Sequence, residues 1–263
     1  MMDLIHAIIM GIVEGLTEFL PVSSTGHLIL TAELLNFTGD RAKTFEVVIQ
    51  LGAVLAVLVL YRNRFLKLLN FNFRKGSGLN ALHIALAMLP AGLLGVLLHG
   101  VIKEYLFGPK TVLVGLVIGG VLMIIADKAK VPVKAEELDD ITYKQAFLIG
   151  CFQILSLWPG FSRSGSTISG GMLTGTSQKA SAEFTFIVSV PIMMGASAVD
   201  LVGSREFLTL NDLPLFAIGL IAAFVVGMIA VVTFINMMKK IRLSWFAYYR
   251  FGLAALFAWI ILF

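Results

Sequence analysis

Charge is what this chain has least of. Only 14% of its 263 residues are Asp, Glu, Lys or Arg, against about 25% in an ordinary soluble domain. With 58% hydrophobic residues and a mean hydropathy of +0.93, that scarcity points to a helical protein crossing a membrane several times. Cysteine is nearly absent as well: the single Cys151 excludes an intramolecular disulfide and a thiolate zinc site. A basic leader is missing from the opening MMDLIHAIIMGIVEGLTEF, and acids interrupt its apolar run, so it does not read as a signal peptide. The apolar runs are continuous and too long for the alternating strands of a membrane barrel. The net charge of +4 does not call for nucleic acid, because the basic residues cluster in short loops beside apolar runs, as the positive-inside rule expects.

What is present is a set of six apolar runs, at about 45–61, 82–102, 111–127, 184–203, 213–237 and 245–263, each long enough or nearly so to cross roughly 30 Å of hydrocarbon. Tyr61, Tyr105, Trp245, Tyr248 and Tyr249 stand at their ends, where interfacial aromatics belong. Two further stretches are greasy but broken: GIVEGLTEFLPVSSTGHLIL (11–30) and GCFQILSLWPGFSRSGSTISG (150–170). Pro21 and Pro159 interrupt helix, and the pieces on either side are too short or too polar to span. The reading is two re-entrant helix-loop-helix hairpins, 3–35 and 143–175. Broken backbone at bilayer depth is tolerated only inside protein or beside a water-filled cavity.

The two halves resemble each other. Shifting the chain by 139 positions carries Gly11 onto Gly150, Ser23 onto Ser162, Gly26 onto Gly165 and Phe45 onto Phe184, with Glu14 falling on Gln153. The predicted fold class is therefore an all-α polytopic membrane domain of six spans and two hairpins, built as an inverted-topology repeat. Repeat 1 covers about 1–127 and repeat 2 about 143–263, with the mixed-charge stretch 128–144 as a solvated linker. Such repeats meet at a midplane site. If the first hairpin enters from outside, fourteen basic residues fall in inner loops, counting Arg250, and five in outer loops. Both termini are then outside.

The polar residues of the hairpins form the candidate site. Glu14 and Glu18 are four apart and share a helix face; each would cost about 2.5–3.5 kcal/mol in a bare membrane helix. They pair with Arg163 or sit protonated in the bundle, or else hold a divalent cation or do acid–base work. Ser23, Ser24, Thr25, Gly26 and His27 open one returning half-helix, and Ser162, Arg163, Ser164, Gly165, Ser166 and Thr167 open the other. Hydroxyls there serve as N-caps. Two facing helix starts with an arginine between them also make an anion site. Carboxylates beside an anion site imply protons or a hard cation, a combination met in phosphoryl transfer. His27 is a candidate general base or acid, and Ser24 a candidate nucleophile. A site at this depth implies a substrate with a phosphorylated head and a lipid tail.

EGLTEFLPVSSTGH (14–27) together with PGFSRSGST (159–167) closely resembles the two signature motifs of bacterial undecaprenyl-pyrophosphate phosphatases, a group linked to bacitracin resistance. The resemblance spans essentially the full length. It implies hydrolysis of undecaprenyl pyrophosphate to the monophosphate at the outer face of the bacterial inner membrane, in peptidoglycan lipid recycling, with Mg²⁺ or Ca²⁺ as cofactor. It assigns functional roles to Glu14, Glu18, Ser24, His27 and Arg163, and leaves open whether the serine or a water attacks. The PAP2-type lipid phosphatases fit less well, since no histidine and aspartate follow Ser162-Arg163 in SGSTISGGMLTG. The alternative function is a polyprenyl-phosphate flippase using the same anion clamp. A homodimer is left open. His6, His83 and His99 read as interfacial; Glu46, Gln50 and Asp200 as span-end residues that snorkel, cap or line the cavity; and Glu33 as a candidate support for the site.

Overall fold

The computed structural model describes residues 4–68, 78–106, 108–203 and 212–262. Residues 3 and 263 at the expected ends of the first hairpin and last span lie outside the described residues. So do Arg74, Lys75 and Arg205 of the charge count.

The described residues are helical almost throughout. The elements are α1 (Leu4–Thr17), α2 (Ser24–Leu34), α3 (Asp40–Leu60), α4 (Arg62–Leu68), α5 (Ala81–Leu97), α6 (His99–Tyr105), α7 (Pro109–Lys128), α8 (Tyr143–Gln153), α9 (Arg163–Leu173), α10 (Gln178–Gly203), α11 (Leu213–Met237) and α12 (Leu243–Leu262). Short 3₁₀ turns cover Leu138–Asp140 and Ile154–Leu157. Among the described residues, four helices are long and apolar enough to cross a membrane: α3 from Arg41, α7, α10 and α11. The expected span 82–102 is split at Leu98 into α5 and α6, with Gly100 offering no side chain to stiffen the helix across the break. Helix α10 begins at Gln178, earlier than 184, because QKASAE is polar but helix-forming.

Helix α11 packs against α3 and α1, α12 against α7, α8 against α5 and α9, and α10 against α3. The α1–α11 seam is lined by small residues. A Cβ on Gly11 would come within 2.4 Å of the Gly219 carbonyl, and one on Gly15 within 2.7 Å of the Ala223 carbonyl. Backbones this close gain dispersion contact where lipid offers no hydrophobic drive. The largest core cluster centres on Phe19, Phe186, Phe234 and Phe246, with the Phe19 and Phe186 rings edge to face at 5.2 Å. Phe19 sits in the break after α1, so the core grips the site-bearing turn.

The 128–144 stretch is more than a solvated linker. Ala135, Leu138 and Ile141 are buried in a cluster with Phe184 and Ile187, and Ala135 bridges Thr176. Apolar residues spaced among charges let one side dock while the other stays wet. Ion pairs hold the helix ends: Arg41 with Asp212, Arg64 with Asp139, Lys179 with Glu137, and Arg242 with Asp127.

Candidate active site

Helix α1 ends at Thr17 and the chain turns through 18–23 around Pro21 before α2 starts. The second break runs from the 3₁₀ turn through Pro159-Gly160 to α9. Ser23 and Ser162 occupy matching positions, with φ of 71° and 74°. A left-handed backbone at a non-glycine residue costs energy and persists where the surroundings enforce it. Each serine caps its helix: Ser23 Oγ accepts from the Gly26 N–H at 3.4 Å and Ser162 Oγ from the Gly165 N–H at 3.2 Å. Gly160 has φ 88°, and a Cβ there would lie 2.2 Å from the Val112 carbonyl, so only glycine fits this turn.

The two breaks share one cavity of about 210 Å³, lined by Glu18, Ser23, Ser24 and Thr25 from the first and Ser156, Trp158, Pro159, Gly160, Ser162 and Arg163 from the second. Gln50 of α3 and Ile192, Met193 and Ala196 of α10 complete the wall. The N-termini of α2 and α9 therefore open onto the same space, each bringing first-turn N–H groups that lack intrahelical acceptors.

A row of hydrogen bonds joins the halves. Arg163 Nη2 donates to Glu18 Oε1 at 2.8 Å, the Ser24 hydroxyl donates to Glu18 Oε2 at 2.6 Å, and the Ser164 hydroxyl donates to the Leu20 carbonyl at 2.9 Å. Glu18 continues the α1 ladder through its N–H to the Glu14 carbonyl. A carboxylate at that C-terminal end opposes the helix dipole, and Arg163 offsets it. Glu14 is 1% exposed, and both its carboxylate oxygens lack a hydrogen-bond partner. Such an orphaned buried carboxylate, one turn before Glu18, suits a hard divalent cation. Among the described residues no three His, Cys, Asp or Glu side chains gather around a common point, so this pair would need phosphate or water oxygens to complete a shell.

His27 is not bonded to Ser24. Its Nδ1 donates to the Ser23 carbonyl at 2.8 Å, and its Nε2 meets the Tyr249 hydroxyl at 2.7 Å. The predicted hydroxyls divide in two groups. Ser23, Ser24, Thr25 and Ser162 line the cavity, whereas Ser164, Ser166 and Thr167 lie buried, the first donating to the Leu20 carbonyl and the other two to the Arg163 carbonyl. Gly26 lies against Leu116, and Gly165 against Arg250. Glu33 is exposed. Sequence reasoning missed Ser156, Trp158, Tyr249 and Arg250. Arg250, counted as a basic residue at the inner end of the last span, is fully buried and adds nothing to surface charge. A lone arginine within an apolar span marks a functional position by default, and that signal was available.

The family described as bacitracin resistance protein BacA matches residues 7–256. A protein of Bacillus cereus (strain ZK / E33L) named undecaprenyl-diphosphatase 1 is 53% identical over 264 residues, covering all of both chains.

Proposed function

The chain belongs to the bacitracin resistance protein BacA family, and on that premise we propose that it is a membrane phosphatase hydrolysing undecaprenyl pyrophosphate to undecaprenyl phosphate and inorganic phosphate. The observation that carries this reading is the row Ser24–Glu18–Arg163 along a cavity shared by both breaks. Arg163 turns its fork to the terminal phosphate, which two helix N-termini also face. Release of Glu18 from that ion pair leaves its carboxylate free to take the Ser24 proton. The Ser24 oxygen then bonds to the terminal phosphorus, and the bridging oxygen departs with the lipid monophosphate. Water hydrolyses the phosphoserine; a water activated by the same carboxylate yields the same products in one step. Glu14 and Glu18 would hold Mg²⁺ or Ca²⁺, which when bound supplies neutralisation of phosphate charge.

The finer architecture belongs to the same proposal: six spans, two re-entrant hairpins and an inverted repeat. Helices α2 and α9 are both 11 residues long and follow positive-φ serines, 139 positions apart. Helix α1 packs on α11 of the other half as α8 packs on α5. The ion pairs also sort by expected side: Arg41–Asp212 joins two outer ends, while Arg64–Asp139, Lys179–Glu137 and Arg242–Asp127 join inner ones. The cavity then opens toward the outer face of the bacterial inner membrane, where the product re-enters peptidoglycan lipid recycling.

Purified protein in detergent is expected to release phosphate from undecaprenyl pyrophosphate with added Mg²⁺ or Ca²⁺, and to stop with EDTA. Absence of release, with tail-dependent movement of polyprenyl phosphate across liposomes, would replace this reading with the flippase.

A further inference from the structure

Two adjacent residues of α12, distant in sequence from both motifs, reach one break each. Tyr249 meets His27, its ring 5.6 Å from the imidazole and 4° from parallel, with its hydroxyl 2.7 Å from Nε2. The Ser23 carbonyl bonded to Nδ1 only accepts, so Nδ1 carries a proton. In the neutral ring Nε2 is then the acceptor and the Tyr249 hydroxyl the donor. The Ser23 carbonyl thus sets the tautomer, and Tyr249, stacked on the ring and donating to Nε2, holds its tilt.

Arg250 reaches the other way. Its Nη2 donates to the Gly160 carbonyl at 2.8 Å and to the Gly115 carbonyl at 3.1 Å, and Nε has no partner. Gly119 leaves room for it, since a Cβ there would lie 2.5 Å from Nη2. No carboxylate pairs with this buried guanidinium among the described residues. An unpaired buried charge is costly, and an apolar side chain would fill the space with less penalty. Fold stability alone does not account for it.

We propose that Tyr249 and Arg250 are positioning residues. Tyr249 holds His27 at the first tip, and Arg250 holds the Pro159-Gly160 turn that aims Ser162 and Arg163. One rigid helix thus sets the distance between the two half-sites. The catalytic consequence rests on the phosphatase reading with His27 as its general acid or base; the hydrogen-bond geometry does not.

The test uses the full chain in detergent, comparing wild type, Tyr249→Phe and Arg250→Lys by phosphate release from undecaprenyl pyrophosphate, melting temperature and the ¹⁵N shifts of His27. Tyr249→Phe is expected to melt like wild type and to move the His27 Nε2 shift, whose donor is lost, while Nδ1 stays protonated against the Ser23 carbonyl. It should also lower kcat about tenfold at unchanged KM, the size of one ordinary hydrogen bond in the transition state. Arg250→Lys keeps the charge but not the fork, and is expected to lower kcat as well. Unaltered His27 shifts or unaltered kcat in Tyr249→Phe overturn the proposal, as does full kcat in Arg250→Lys. If Arg250→Lys does not fold, Tyr249→Phe decides. A wild type that releases no phosphate sinks the phosphatase reading, while the ¹⁵N shifts still test the clamp.

Discussion

Arg163 is held by one Glu18 oxygen while the other accepts from Ser24, so a single carboxylate couples the anion-binding group to a hydroxyl that lines the cavity. Removing the fork by Arg163→Ala is expected to lower the rate about 10²–10³-fold, the usual cost of one electrostatic contact to a developing charge. Arg163→Lys should recover only part of it, because an ammonium is a point charge without bidentate geometry. Steady-state phosphate release measures both, and full activity in Arg163→Lys would remove the fork from the argument. At this scale the sequence was informative where polar atoms sat against an apolar background: Glu14, Glu18, Ser24 and Arg163 stood out because charged and hydroxyl side chains are costly in an apolar hairpin unless they meet partners. Tyr249 was obscured because an aromatic near a span end has an ordinary interfacial explanation. The orphaned oxygens of Glu14 were unreadable, since satisfaction depends on neighbours that only the fold supplies.

Among the elements, the helix breaks were legible from proline and glycine, and the pairing of helices was not. Gly11 and Gly15 mark a close seam on α1, but only the fold brings Gly219 and Ala223 opposite them. The stretch after α7 was likewise read from its charges, which hid its docking residues. Asp139 shows how that docking works. Its carboxylate accepts from Arg64 at 2.7 and 2.8 Å and from the Leu79 N–H at 3.1 Å. Burial alone would push this carboxyl up, yet the Arg64 and Leu79 hydrogen bonds and the charges of Arg64 and Lys67 hold it below its ordinary value. A depressed carboxyl contributes stability that is present above its unfolded pKa and lost as pH falls through the folded one. Asp139→Asn is therefore expected to destabilise the protein at neutral pH, with the gap to wild type closing as the pH drops through and below the carboxylate range. Because the Arg64–Asp139 pair is 38% and 44% exposed, screening limits the ion-pair contribution to less than about 1 kcal/mol. Melting temperatures of both proteins across that range test it; a constant gap would assign the effect to packing instead.

For the whole molecule, the proposed inversion makes a demand that neither half could make alone. The segment after α2, containing Asn36, and the segment after α7, containing Lys134, lie at the ends of opposed units and must face opposite sides of the membrane. Ion pairs that join only ends expected on one side agree with this, because a mis-sided end would have to drag its partner's charge through hydrocarbon. Both residues are exposed, and the one native thiol, Cys151, can be replaced by alanine to clear the background. In intact cells, a membrane-impermeant thiol reagent is expected to label Asn36→Cys directly and Lys134→Cys only after permeabilisation. Labelling of both from outside would mean that the halves enter the bilayer in the same sense. The breaks at Pro21 and Pro159 would then open to one side, and a substrate head could reach both helix starts without a cavity buried between opposed hairpins.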